Sequence, residues 1–330
     1  MKISKTVNFI IWLPRVLFCA AATACLGFYL RYIASILAFP YQWEPTDGDH
    51  LNFAHRIAQG LPIYLSLKSG QVLSIYNPLY HTLIAILGGP HAGMILGRSI
   101  ALIAWVLIPI GVFVFYRHRW GMFYALIAAI FIMLPPERMM LIYMVQVSPD
   151  VLMAFLFFAT LLLAERCTEK TEARWWEWAS IGVLACLCFL AKQQGIIALA
   201  SAGVYLLIRR VRFNSLLWTT GGFLFIFIIS STYFQWMNHG EYFRATLFDL
   251  HKIMIVTPGL ARQRFVDFLF NKNRFFFACI CAGLALVIFR ISRLTVWQVS
   301  FFLHIPFLLK ILGNEGGGRI ILQLFGSPLS

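Results

Sequence analysis

Acidic residues are scarce in this chain: 13 Asp and Glu among 330 residues, against 27 Lys and Arg. Charged residues of both signs together make up only 12%. The seven cysteines give no disulfide framework: Cys19, Cys25, Cys186, Cys188, Cys279 and Cys281 sit inside apolar runs and read as small buried hydrophobes, and Cys167 reads as a loop residue. There is no HExxH, no paired CxxC and no EF-hand loop, and His50 and His55 are five apart, off a shared helix face. We therefore expect no metal and no cofactor. Internal repeats, low-complexity tracts and linkers are also missing, so 1–330 reads as a single domain.

What the chain has is apolar length. Hydrophobic residues make up 60%, aromatic residues 16%, and the mean hydropathy is +0.78. A soluble fold cannot hide that much apolar surface, whereas hydrocarbon accepts it, and Trp and Tyr gather at membrane interfaces. Candidate spans lie at 9–37, 92–116, 120–134, 151–164, 179–190, 195–208, 216–236, 275–289 and 295–312, with a shorter apolar piece at 78–87. This predicts an all-α polytopic bundle of about nine transmembrane helices. Lys2 and Lys5 precede the first run, which is too long for a signal peptide core and contains Arg15 and Arg31, so it reads as an uncleaved span.

The net charge of +14 is distributed in short turns: Arg117 to Arg119, Arg166 with Lys170 and Arg174, Arg209 to Arg212, and Arg290 with Arg293. All fall on one side if the N-terminus is cytosolic, as the positive-inside rule requires. That pattern suits contact with membrane lipids and excludes a nucleic-acid surface. The opposite face then carries a first external loop at about 40–76 and a second at about 237–274.

With so few acids, each can be placed. Glu165, Glu169, Glu172 and Glu177 lie among cations and read as a solvated cytosolic face. The densest external group is the turn Glu44, Asp47, Asp49, His50, in which Gly48 allows an unusual backbone. Two carboxylates and an imidazole so close together suit a general base, a metal site, or the N-terminal cap of an amphipathic helix over 49–59 lying on the membrane surface.

The stretch DGDHLNFAHRIAQGLPIY, followed by YNPLYH at 76–81, resembles the first external loop of GT-C membrane glycosyltransferases. Within them it is most similar to the bacterial relatives of the protein O-mannosyltransferases and the lipid A aminoarabinose transferase. The segments VSPDVLMAFLFFATLLLAER and FLAKQQGIIALASAGVYLLIRR resemble that family's Pro-Asp helix start and its short hairpin, so the likeness covers most of 9–212. Members more often carry Asp-Glu where this chain has Asp47-Gly48-Asp49, and they usually run longer. The tail KILGNEGGGR resembles a segment that elsewhere introduces further helices, so the chain reads as a minimal or truncated member.

The resemblance implies an inverting transfer of a hexose or pentose from a polyprenyl-phosphate donor, at the external face of a bacterial inner membrane, to a lipid, glycan or protein acceptor. Counting back from Arg56 puts Asp47 on the family's catalytic acid, with Asp49 in reserve. Arg138, Lys192, Lys310 and Arg319 are candidate phosphate cations, and Lys192 and Lys310 equally suit snorkelling at the ends of apolar runs. Arg56 is placed to pair with Asp49 or the phosphate, and Tyr76, Tyr80 and His81 to line the sugar site or an aromatic belt. Two other readings remain open: an inactive or scaffolding relative, and a transporter or flippase, which would favour ionisable residues within spans and internal repeats.

Overall fold

The computed structural model describes residues 5–42, 45–65, 74, 76–133, 144–249, 263, 266, 295–301 and 303–304. The described structure is helical, and the protein is an integral membrane protein. Helix α1 (Lys5–Ala38) is followed by α2 (Pro45–Ala58) and the short α3 (Leu79–Gly88). Then come α4 (Met94–Trp120), α5 (Met122–Met133), α6 (Pro149–Glu169), α7 (Trp175–Ala191), α8 (Ile196–Ile208) and α9 (Phe213–Met237). Beyond α9 a turn at Glu241–Phe243 continues as a π-helical run, Arg244–Asp249.

Among the described residues, four segments are long and apolar enough to cross a bilayer: Val16–Ala38 within α1, α4, α6 and α9. Helices α5, α7 and α8 are apolar but shorter. At 1.5 Å per residue, the 12 residues of α5 rise about 18 Å, well below the ~30 Å of hydrocarbon. The expected spans fall on these seven helices with ends shifted by up to five residues. The expected span 275–289 and half of 295–312 lie outside the described residues.

Contacts fix the alternation. The α2 end of the bundle gathers the C-terminus of α1, the starts of α4 and α6, and the ends of α7 and α9, through Arg98, Val147, Lys192 and Asn238. The opposite end gathers Arg119, Glu165, Glu169, Thr168 and Tyr205. Every cation-rich turn among the described residues therefore falls at that far end.

Small residues decide how closely the helices approach. A Cβ on Gly182 would lie 1.8 Å from the Thr219 carbonyl oxygen, and one on Gly222 2.2 Å from that of Ala179, so α7 and α9 pack backbone against backbone. This is the small-residue contact expected where lipid supplies no hydrophobic drive between helices. Thr219 Oγ1 adds a bond across the seam to the Trp178 carbonyl, 3.2 Å. At the α7–α8 hairpin, a Cβ on Gly195 would lie 2.1 Å from the Cys188 carbonyl oxygen.

Four expectations are corrected. The α2 helix begins at Pro45 rather than at residue 49, so Asp47 and Gly48 are helical and Gly48 makes no turn. Proline suits a first helical turn because its missing N–H would have no partner there. Nor does α2 lie flat on a surface: Leu51, Phe53 and Ala54 are buried, and it packs against α3. Glu165 and Glu177 are not a solvated face. Both are buried, Glu165 accepting from Arg119 (2.9 Å), Tyr116 (3.2 Å) and Trp297 (2.9 Å), and Glu177 pairing with Lys170. Neighbouring cations and donors replace the lost water. Cys167 is buried in the last turn of α6 instead of lying in a loop.

Candidate active site

The acidic turn sits on two faces of α2. Residues two apart on a helix point away from each other, so Asp47 and Asp49 cannot share a surface. Asp47 lies on the buried stripe with His50, Leu51 and Ala54, and is fully buried. One oxygen accepts from the Val147 amide at 3.2 Å, and the other lies 3.9 Å from the Arg98 guanidinium. Arg98 is itself fully buried and also donates to the carbonyls of Ile36 (3.1 Å), Phe39 and Tyr41 (2.6 Å), closing the C-terminal end of α1. A cation there satisfies the last carbonyls and suits the helix dipole. Asp49 is half-buried, with no ion pair to the described residues.

Beside Asp47, His50 meets His81 of α3. Their Nδ1 and Nε2 atoms are 2.8 Å apart and the rings stack with centroids 5.1 Å apart. Tyr76 lies 5.2 Å from the His50 ring, and Lys192 Nζ is 5.4 Å from the Tyr76 centroid. Lys192, where α7 ends, bonds Asp150 at 2.5 Å. Asp150 stands in the first turn of α6, where Ser148 caps the helix and donates to its carboxylate at 2.6 Å. Two carboxylates, two imidazoles, a lysine and a tyrosine thus converge from α2, α3, α6 and the α7–α8 hairpin.

Of the expected site residues, Asp47, Tyr76, His81 and Lys192 come together here. Tyr80 is buried next to them, but its hydroxyl donates to the Gly97 carbonyl at 2.9 Å and ties α3 to α4. Arg56 turns away from Asp49: its Nε donates to the Pro62 carbonyl at 2.9 Å and pins the loop after α2. Arg138, Lys310 and Arg319 lie outside the described residues. Arg98 and Asp150, which the sequence does not place in the sugar site, join the cluster, together with His50 of the acidic group. Arg98 carried a signal, since a cation inside a long apolar run needs a partner.

Nearby, Asn238 is buried at the end of α9, accepting from the amides of Ile63 (2.7 Å) and Tyr64 (3.0 Å) and holding the loop after α2 to that helix. Beside it a groove of about 910 Å³ runs between Gly60, Pro62 and the last turns of α9, including Phe227, Ile228 and Gln235. None of the residues of the polar cluster lines it. Among the described residues no three His, Cys, Asp or Glu side chains are grouped to hold a metal ion.

Burial sets the charge state of the imidazoles. It pushes His50 from 6.5 down to about 4, with Asp150 raising it and Lys192 lowering it by smaller amounts. Burial, then His50, holds His81 well below its ordinary value. Both are neutral in the folded protein at neutral pH, while the unfolded chain takes up protons below about 6.5. Stability is therefore complete above pH 6.5 and falls as pH drops toward 4, by up to about 1.4 kcal/mol per pH unit for each histidine. Melting midpoints of detergent-solubilised protein are expected to fall between pH 7 and 5, and less steeply in His50→Gln. Equal slopes in the two proteins would remove His50 as the cause.

The family model of dolichyl-phosphate-mannose-protein mannosyltransferases matches residues 80–236, from α3 to the end of α9. His81, Arg98, Asp150 and Lys192 lie within the matched segment, and Asp47, Asp49 and His50 lie outside it, on the N-terminal side. No curated protein and no solved structure matches the chain.

Proposed function

We propose that this chain, which the family model matches over residues 80–236, is a GT-C membrane glycosyltransferase that moves a sugar from a polyprenyl-phosphate carrier to an acceptor at the external face of the membrane. One observation carries the reading. The carboxylates, imidazoles and Lys192 gather at the α2 end of the bundle, opposite the turns rich in Arg and Lys. The positive-inside rule puts those turns in the cytosol and the polar cluster outside.

Transfer needs a base for the acceptor hydroxyl, cationic support for the leaving phosphate, and access from the bilayer. Asp49, half-buried and with no ion pair to the described residues, is the carboxylate able to take the proton. Asp47, on the family's acid position, holds the turn in place through Arg98. Lys192 is the described cation nearest the cluster, and it supports the phosphate as the glycosidic bond breaks. The groove beside α9 has the apolar wall a lipid chain requires. The sugar is a hexose or pentose, and the transfer inverts the anomeric centre.

The test is reconstitution of purified protein in proteoliposomes with polyprenyl-phosphate mannose and an extract of envelope glycolipids. Mass spectrometry is expected to find a glycosylated product that is missing from vesicles without protein. Movement of the lipid-linked sugar across the bilayer with no covalent product would replace this reading with transport. A membrane-impermeant thiol reagent should reach Asp49→Cys from outside intact cells. Labelling only after the cytoplasmic side is opened would leave the site without its donor.

A further inference from the structure

The His50–His81 contact can carry its hydrogen in two ways, and the surroundings choose between them. His81 is fully buried, between the His50 ring, Phe53 (centroids 5.4 Å apart) and Tyr80 (6.1 Å apart), and its Nδ1 has no hydrogen-bond partner among the described residues. If His50 Nδ1–H donated to His81 Nε2, the neutral His81 would carry its own hydrogen on Nδ1, as a buried donor with nothing to receive it. If His81 Nε2–H donates instead, Nδ1 is left as a bare acceptor. Orphaned buried N–H groups are rarer than under-used acceptors, so the second arrangement is favoured. His50 then accepts at Nδ1 and must carry its hydrogen on Nε2, the nitrogen that His81 does not use.

We propose that His81 fixes His50 in the Nε2–H form, and that His50 offers this hydrogen to a phosphate oxygen of the lipid-linked donor alongside Lys192. The proposal deepens the function proposed above and rests on that site. The Asp150–Lys192 pair acts on the His50 ring through space, without a hydrogen bond to it. A second full cation next to Lys192 would repel it. A neutral N–H instead adds direction without charge, which suits a group that must orient a phosphate rather than merely attract it. The low affinity of both rings for protons keeps the pair neutral across the physiological range. His50 is thus a binding residue and His81 a positioning residue acting through it.

The full-length protein, labelled with ¹⁵N-histidine in nanodiscs, reads the tautomers directly, with His50→Gln and His81→Gln assigning the two signals. Both rings are expected to be neutral and protonated on Nε2. Adding farnesyl phosphate should shift the His50 Nε2 signal, and mannose alone should not. His50 protonated on Nδ1, or no shift at saturating farnesyl phosphate, overturns the proposal whether or not the protein transfers sugar. In the transfer assay, His81→Leu is expected to raise the KM for polyprenyl-phosphate mannose about tenfold, the scale of one lost hydrogen bond. His81→Gln, whose amide still donates to His50, should stay near wild type, and the acceptor KM should be unchanged in both. Equal donor KM values in the leucine and glutamine variants, at matched melting midpoints, would reduce the pair to packing. Absence of transfer by the wild-type protein would instead count against the glycosyltransferase reading, leaving the titration to judge the histidines.

Discussion

Asp49→Asn is expected to abolish sugar transfer with no change in folding, whereas Asp47→Asn is expected to lower stability and activity together. The difference follows from burial. Asp49 is half-buried and bears no described ion pair, so its amide variant removes a proton acceptor and little else. Loss of a general base costs roughly 10² to 10⁴ in rate. Asp47 is fully buried 3.9 Å from Arg98, which is equally buried. Neutralising one partner leaves the other charge uncompensated, at a cost of about 3–5 kcal/mol. The double variant Asp47→Asn, Arg98→Met should recover part of that loss, because it removes the stranded charge. Initial rates and melting midpoints measured on the same preparations separate these effects. An inactive Asp47→Asn as stable as wild type, beside a fully active Asp49→Asn, would move the base to Asp47. Full activity in both would end the proposed chemistry.

Gly222→Leu is expected to yield no folded monomer in mild detergent, and Gly182→Leu the same. The α7–α9 seam has no room for any side chain at these positions: even a methyl group would sit 2.2 Å and 1.8 Å from opposing carbonyl oxygens. The helices would have to separate, breaking the Thr219–Trp178 bond and opening the packing around Ala185, Cys186 and Phe223. Overpacking a tight contact typically costs about 1–3 kcal/mol for small additions, and a whole isobutyl group exceeds that. Gly203→Ala and Gly221→Ala are the controls, since an added Cβ meets nothing within 4 Å at either. Size-exclusion profiles decide the matter: a sharp, monomeric Gly222→Leu peak would mean that the seam is looser than its geometry.

The helices were readable from the sequence wherever apolar length and punctuation agreed. The α7–α8 hairpin follows from Lys192 to Gly195 interrupting two apolar runs, and α3 from the piece at 78–87. Cations in short turns gave the alternation because their cost in hydrocarbon is unconditional. Gly48 suggests a turn and so puts the start of α2 too late, although Pro45 already opens the helix. Pairings between distant segments were invisible to periodicity: Asp47 with Arg98, His50 with His81, and Lys192 with Asp150. The far-end glutamates were misread for a related reason. Charge spacing identifies neighbours in the chain but not Tyr116 or Trp297, which arrive from other helices and allow Glu165 to be buried. The resemblance singled out the acidic turn, but not which of its two carboxylates faces inward.

The anchoring of Arg98 also bears on how the protein is made. This guanidinium closes the end of α1, yet it lies 62 residues beyond Ile36, on a helix that leaves the ribosome much later. Until α4 is delivered into the bilayer, Asp47 lacks the Arg98 guanidinium, and the carbonyls of Ile36, Phe39 and Tyr41 lack the hydrogens it donates. The acidic segment can therefore tuck against the bundle only after the second long helix has been inserted, and the machinery for chemistry is assembled late in biogenesis rather than with the first span.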